Sequence, residues 1–248
     1  MSIQYAAVKW NRNKGLYDLV LAAGILLYLG LFVLIGKVAC PGDARLSDEV
    51  LLLRALGTCA YGLLHVVLCI GPLARFDRRL LPVLYNRRHL GVATFLLGLA
   101  HAALATGYYH GFGTVSPLLS LLTSNTQYGS LAAFPFETLG LVALVILFLM
   151  AATSHDFWQK NLSPGVWKGL HMLVYPAYAL LVLHVALGAL QSEGSPAYVV
   201  LVTLGATTVA GLHLAAGLRE RRRDRGASPI PAPSPPASVD SYPRGMKK

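Results

Sequence analysis

Six uninterrupted apolar runs, each roughly twenty residues long, take up most of this 248-residue chain. They cover 16–35, 51–73, 90–109, 131–152, 170–190 and 197–218. At ~1.5 Å per residue a helix of that length crosses a hydrocarbon core of about 30 Å. Only 13% of the residues are charged, against about a quarter in soluble domains, and those charges cluster between the runs. The pattern excludes an ordinary soluble enzyme. It predicts an all-α integral membrane protein, a six-helix bundle.

Lys and Arg fall on alternate connections. Lys9, Arg12 and Lys14 precede the first run; Arg75, Arg78, Arg79, Arg87 and Arg88 follow the second; Lys160 and Lys168 follow the fourth. Eight more lie beyond the sixth, so 18 of the 21 basic residues share one side, with Lys37, Arg45 and Arg54 opposite. Positive charge is retained on the cytoplasmic face, which puts both termini inside. The net charge of +10 therefore reads as topology and contact with anionic membrane lipids, with no nucleic-acid partner.

The first run is too long for a signal-peptide core, and Lys37 before Cys40 spoils a lipoprotein cleavage pattern, so it reads as an uncleaved first helix. Cys40, Cys59 and Cys69 have no spacing for haem attachment or an iron–sulfur cluster. Cys59 and Cys69 read as small apolar fillers. The stretch 111–130, with "SPLLSLL", is expected along the membrane interface, as is the basic "RFDRRLLPVLYNRR" on the other side. Residues 1–218 form the expected membrane domain. Residues 219–248 form a basic tail, with six prolines after Arg225, expected to be disordered.

Histidines inside the runs carry the chemistry. His89, His110 and His155 fall at or beyond run ends, where water or headgroups are expected to satisfy them, and His213 can reach a membrane surface. His65, His101, His171 and His184 lie deeper, and ionisable groups at such depth mark function. Measured from the run midpoints, His101 and His184 sit toward the outer side, within ~5 Å of one another in depth. His65 and His171 sit toward the inner side, within ~8 Å. Two imidazoles facing each other from different helices suit a six-coordinate haem iron. Thirteen steps separate His171 from His184, about 140° on an ideal helix. Either the helix is re-phased near Pro176 or two haems approach different faces. The ~20 Å between them along the helix is too far for a shared zinc site.

"RRHLGVATFLLGLAH" (87–101) and "VWKGLHMLVYPAYALLVLH" (166–184), with "LCIGPLARF" (68–76), resemble the ferric reductase-like transmembrane domain family. Within it the likeness is to bacterial haem-binding membrane subunits that serve periplasmic methionine sulfoxide reductases. It runs from about residue 51 to 190. The resemblance implies a b-type cytochrome of the bacterial inner membrane, with one or two haem b groups and redox protein subunits as partners. The residues matching His101, His171 and His184 are haem ligands in that family, with His101 and His184 as the interhelical pair. His65, apolar in those relatives, stands as fourth ligand on depth alone. His89 competes with it, because the eukaryotic oxidase branch has a ligand near that end of the third helix.

No Gly-x-Gly-x-x-Gly pattern follows the last run. Electrons are therefore expected from membrane quinol or a separate flavoprotein, and quinone or flavin binding stays open. Glu137 reads as an interfacial charge at a helix start. Arg75, Arg87, Arg88 and Lys168 could meet haem propionates on the inner side. Arg54 and 107–110 are the outer counterparts. Gly62, Gly91 and Gly98 could admit a macrocycle or a close helix. A non-redox scaffold or a proton-coupled transporter using the same histidines remains the alternative.

Overall fold

A computed structural model describes residues 12–39, 46–131, 134–192 and 196–226. Among the described residues the chain is helical throughout, with no strand. The first helix, α1 (Arg12–Ala39), buries none of its residues. It lies mainly along α2 (Asp48–Phe76), and most of its leucines are open to the surroundings, as suits a peripheral helix in lipid. Ser47 caps α2, its hydroxyl accepting from the Val50 amide, with Asp48 and Glu49 in the first turn. Lys37 bonds Asp48 at 2.7 Å and ties the two helices together at that end.

Asp77 stops α2 and caps the short 3₁₀ turn Arg78–Leu80. The turn leads through α3 (Leu81–Tyr85) into α4 (Arg87–His110). The expected interfacial segment appears as α5 (Pro117–Thr123), started by a proline whose missing amide costs nothing there. The fourth run begins later than expected. Pro135 precedes the first turn of α6 (Phe136–Ala152), a helix of 17 residues and about 25 Å. Among the described residues five helices are long and apolar enough to cross a membrane: α1, α2, α4, the Pro164–Gln191 segment and the last helix. α6 is the shorter apolar sixth.

After α7 (Asp156–Asn161) the fifth run is broken into α8 (Pro164–Met172), α9 (Val174–Leu187) and α10 (Ala189–Ser192). The first break has a definite cause. Pro176 has no amide to offer the Met172 carbonyl, and its ring crowds that carbonyl, so α8 ends at Met172 and Leu173 turns the chain. The last helix, α11 (Pro196–Gly226), continues past the expected boundary at Leu218, so 219–226 are helical. The remaining tail, 227–248, and Cys40 lie outside the described residues.

Two helix pairs dominate the packing, α2 with α4 and α6 with α9; α11 and α1 flank α2, and α4 meets α6. Ala55, Ala143, Ala177 and Ala216 are almost completely buried. Small residues at crossings let backbones approach where hydrophobic driving force between helices is weak. Leu64, Leu68 and Val209 form the buried cluster, joined by Cys69, Val174, Tyr178 and Leu181. Cys59 is buried and Cys69 partly so; both are free thiols, in keeping with filler roles.

Candidate functional site

His101 on α4 and His184 on α9 face each other, with ring centres 6.4 Å apart and planes at 83°. The His101 Nδ1–H donates to the Leu53 carbonyl of α2 at 3.0 Å. The His184 Nδ1–H donates to the Phe136 carbonyl of α6 at 2.8 Å. A carbonyl oxygen can only accept, so both protons must sit on Nδ1, and both Nε2 atoms keep a lone pair. Two imidazoles bound on opposite sides of one metal ion, at about 2 Å per bond, have ring centres about 6.3 Å apart. The observed spacing and donor set fit that arrangement. Among the described residues no three of His, Cys, Asp and Glu converge as a metal cage, so the donors on offer come as a pair.

Each ring rests in the same kind of cradle. A β-carbon at Gly57 would lie 2.9 Å from the His101 Nδ1, and one at Gly140 would lie 2.8 Å from the His184 Nδ1. In both cases the glycine is four residues beyond the carbonyl that holds the ring: Leu53 with Gly57, Phe136 with Gly140. A helical carbonyl bonded to the amide four residues on has a second lone pair to give. The missing side chain lets an imidazole reach it. The glycines singled out from the sequence do other work. Gly62 and Gly91 face open space and Gly98 makes ordinary contact with Leu144.

His65 and His171 are not brought together; among the described residues no ring contact or hydrogen bond joins them. The His65 Nδ1–H donates to the Tyr61 carbonyl of its own helix at 2.8 Å, and its Nε2 accepts from the Tyr178 hydroxyl at 2.9 Å. Both nitrogens are satisfied. A β-carbon at Gly205 of α11 would press on that Nε2 at 2.6 Å. His171 stacks on Trp167, rings 4.0 Å apart, and donates to its carbonyl. Its Nε2 lies 3.4 Å from the Ser154 oxygen, but the single Ser154 proton goes to the nearer Met150 carbonyl at 2.7 Å. The His171 Nε2 lone pair is therefore open, as in His101 and His184.

His89 is half-buried and donates to Asp18 of α1 at 2.6 Å, with Tyr17 edge-on to its ring. Arg88 bonds Asp156 at 2.7 Å; that bond, more than the charges of Arg88, His155 and Lys14, holds the Asp156 carboxyl below its ordinary range. His213 donates to the Val209 carbonyl of its own helix. The residue that sequence reading misplaced is His110. It is buried, not solvated, and its ring lies between Ser120 of α5 (2.9 Å) and Glu137 of α6 (3.3 Å). Glu137 also takes a short hydrogen bond from Ser124. Apolar surroundings at a helix end, with a carboxylate near the start of the next span, were the available signal.

The fold and the facing imidazoles define a multi-pass, all-helical membrane protein with a paired-histidine site between helices. Residues 55–182 match the family described as ferric reductase like transmembrane component, and the chain belongs to that family. The match takes in His65, His101 and His171 and ends just before His184. Among curated proteins the chain is similar to the methionine sulfoxide reductase heme-binding subunit MsrQ of Xanthomonas axonopodis, 32% identical over 52% of this chain and 53% of that one. It is 30% identical to MsrQ of Enterobacter over 60% of this chain and 69% of the relative. The magnetosome protein MamZ of Paramagnetospirillum magneticum is 29% identical over 58% of this chain and 20% of its own. The chain spans about half the length of the Xanthomonas relative. No solved structure matches.

Proposed function

We propose that this chain is a membrane b-type cytochrome subunit whose haem iron is held by His101 and His184. The observation that carries the reading is the pair of neutral imidazoles, each fixed through Nδ1 to a neighbouring helix and each with Nε2 open, at metal-sharing distance. The haem would supply one-electron redox chemistry. The chain's own residues supply a dry site, fixed ligand orientation and carbonyl acceptors, which raise ligand basicity and so tune the potential.

The reading assigns six crossings, α6 included, both termini to the cytoplasm, and the bacterial inner membrane as location. His101 and His184 then belong to the periplasmic half. One haem is the assignment. A second, on His171 and His65, requires the Tyr178 hydroxyl to leave the His65 Nε2. Electrons would arrive from quinol or a separate flavoprotein and leave to a periplasmic redox partner; that the similar proteins are named heme-binding subunits of a methionine sulfoxide reductase supports a redox partner subunit. A reduced-minus-oxidised spectrum of the purified chain tests this. Low-spin b-type bands are expected, and His101→Ala or His184→Ala should abolish them. Bands surviving both changes would refute the assignment.

A further inference from the structure

At the end of the bundle that carries α5, a buried polar cluster ties together parts of the molecule that the paired histidines depend on. His110 ends α4, the helix that bears His101. Glu137 is in the first turn of α6, next to Phe136, whose carbonyl orients His184. The carboxylate accepts from the His110 Nε2–H (3.3 Å) and from the Ser124 hydroxyl, while the His110 Nδ1 accepts from Ser120 (2.9 Å). His110 is 8% exposed and the Glu137 side chain 19%. Buried polar groups persist only when satisfied, and this cluster satisfies each of its members. No step of the haem reading uses it.

We propose that His110 and Glu137 are positioning residues for the His184 ligand. This inference rests on the haem reading above. α6 starts at Phe136 behind Pro135, with no side-chain cap bond, so its first turn, although the Phe136 carbonyl is bonded within the helix, has no cap to hold it in place against the neighbouring elements. The His110–Glu137–Ser124 clasp fixes it from outside, by bonding the adjacent residue to α4 and to the α5 end. The same clasp sets the α4–α6 register, and thereby the separation between the His101 ring and the His184 ring that leans on α6. The aromatic ring of Phe136 lies 5.7 Å from the His184 ring, so a shifted first turn moves the ligand as well as its acceptor. A loosened Phe136 carbonyl accepts less from Nδ1–H, makes the imidazole a weaker donor, and should raise the potential of the bound iron.

The test uses the full-length chain in detergent, with haem content, midpoint potential and the low-spin electron paramagnetic resonance spectrum as readouts. Glu137→Ala and His110→Ala should keep haem but shift the potential upward and change the largest g value. Glu137→Gln, which can still accept from His110, should restore most of both. Ser124→Ala, a milder cut, gives a smaller shift in the same direction if the alanine variants lose haem. Haem-loaded alanine or Ser124→Ala variants with wild-type potential and g values would overturn the clasp alone. Absence of haem from the wild-type chain would sink both this inference and the functional reading.

Discussion

The two ends of the bundle satisfy their histidines in opposite ways. At the α5 end, His101 and His184 bond to carbonyls of other helices, across glycines. At the basic end, His65, His171 and His213 donate to the carbonyl four residues back on their own helix. An intrahelical bond satisfies one nitrogen without help from any neighbour. An interhelical bond demands a bare backbone opposite and fixes the ring against two helices at once. Fixed position is what a ligand needs, since a loose imidazole loses binding entropy and ligand-field strength together. The contrast therefore separates rings whose Nδ1 is held by a neighbouring helix, with Nε2 left open, from rings whose Nδ1 is held by their own helix, among which His65 also has its Nε2 taken by Tyr178.

The largest effect should come from the locked pair: His101→Ala or His184→Ala is expected to remove all b-type absorbance while the bundle persists, as read by optical spectra and size-exclusion profile. Next come the cradles. Gly57→Ala or Gly140→Ala puts a methyl within 3 Å of the ring, and overpacking of this kind costs about 1–3 kcal/mol. Haem occupancy should fall sharply, whereas Gly62→Ala and Gly91→Ala, which face open space, should leave it unchanged. Equal loss in all four variants would erase the distinction between cradle and spacer.

At the basic end His65→Ala strands the Tyr178 hydroxyl in an apolar setting, at about 1–3 kcal/mol. The melting temperature should drop while the absorbance per chain stays the same. If half the absorbance disappears instead, a second haem sits there and His65 is one of its ligands. The smallest effect concerns Asp156. Its carboxyl is held below the unfolded range, so the Arg88 bond contributes stability above the unfolded pKa and loses it as pH falls through the lower folded one. The pair is partly exposed, so under about 1 kcal/mol is at stake. Asp156→Asn should flatten the acid limb of a stability-versus-pH curve without touching the haem spectrum.

Much of this was legible in the residues. Long apolar runs marked the helices, and Pro176 marked the interruption inside the fifth. Depth counted along each run paired His101 with His184. Depth alone could not separate them from His65 and His171, because what differs is azimuth and the identity of the facing backbone, which belong to a neighbouring helix. Gly57 and Gly140 were invisible for the same reason: a glycine in a membrane helix carries no mark of what it faces. His110 was misplaced because its position near a helix end suggested water, while α5 folds back to cover it. The short α6 escaped because Leu131 and its neighbours continued the apolar pattern through Pro135.

The interruption at Leu173 has a mechanical meaning. His171 and His184 ride on separate rods joined by a single turn, and a break in a helix absorbs bending that a continuous rod would transmit. A protein that leans on α8 from the basic side can tilt that segment without twisting the imidazole on α9. The chain thus has a compliant joint between the basic end of the bundle and the facing imidazoles of His101 and His184.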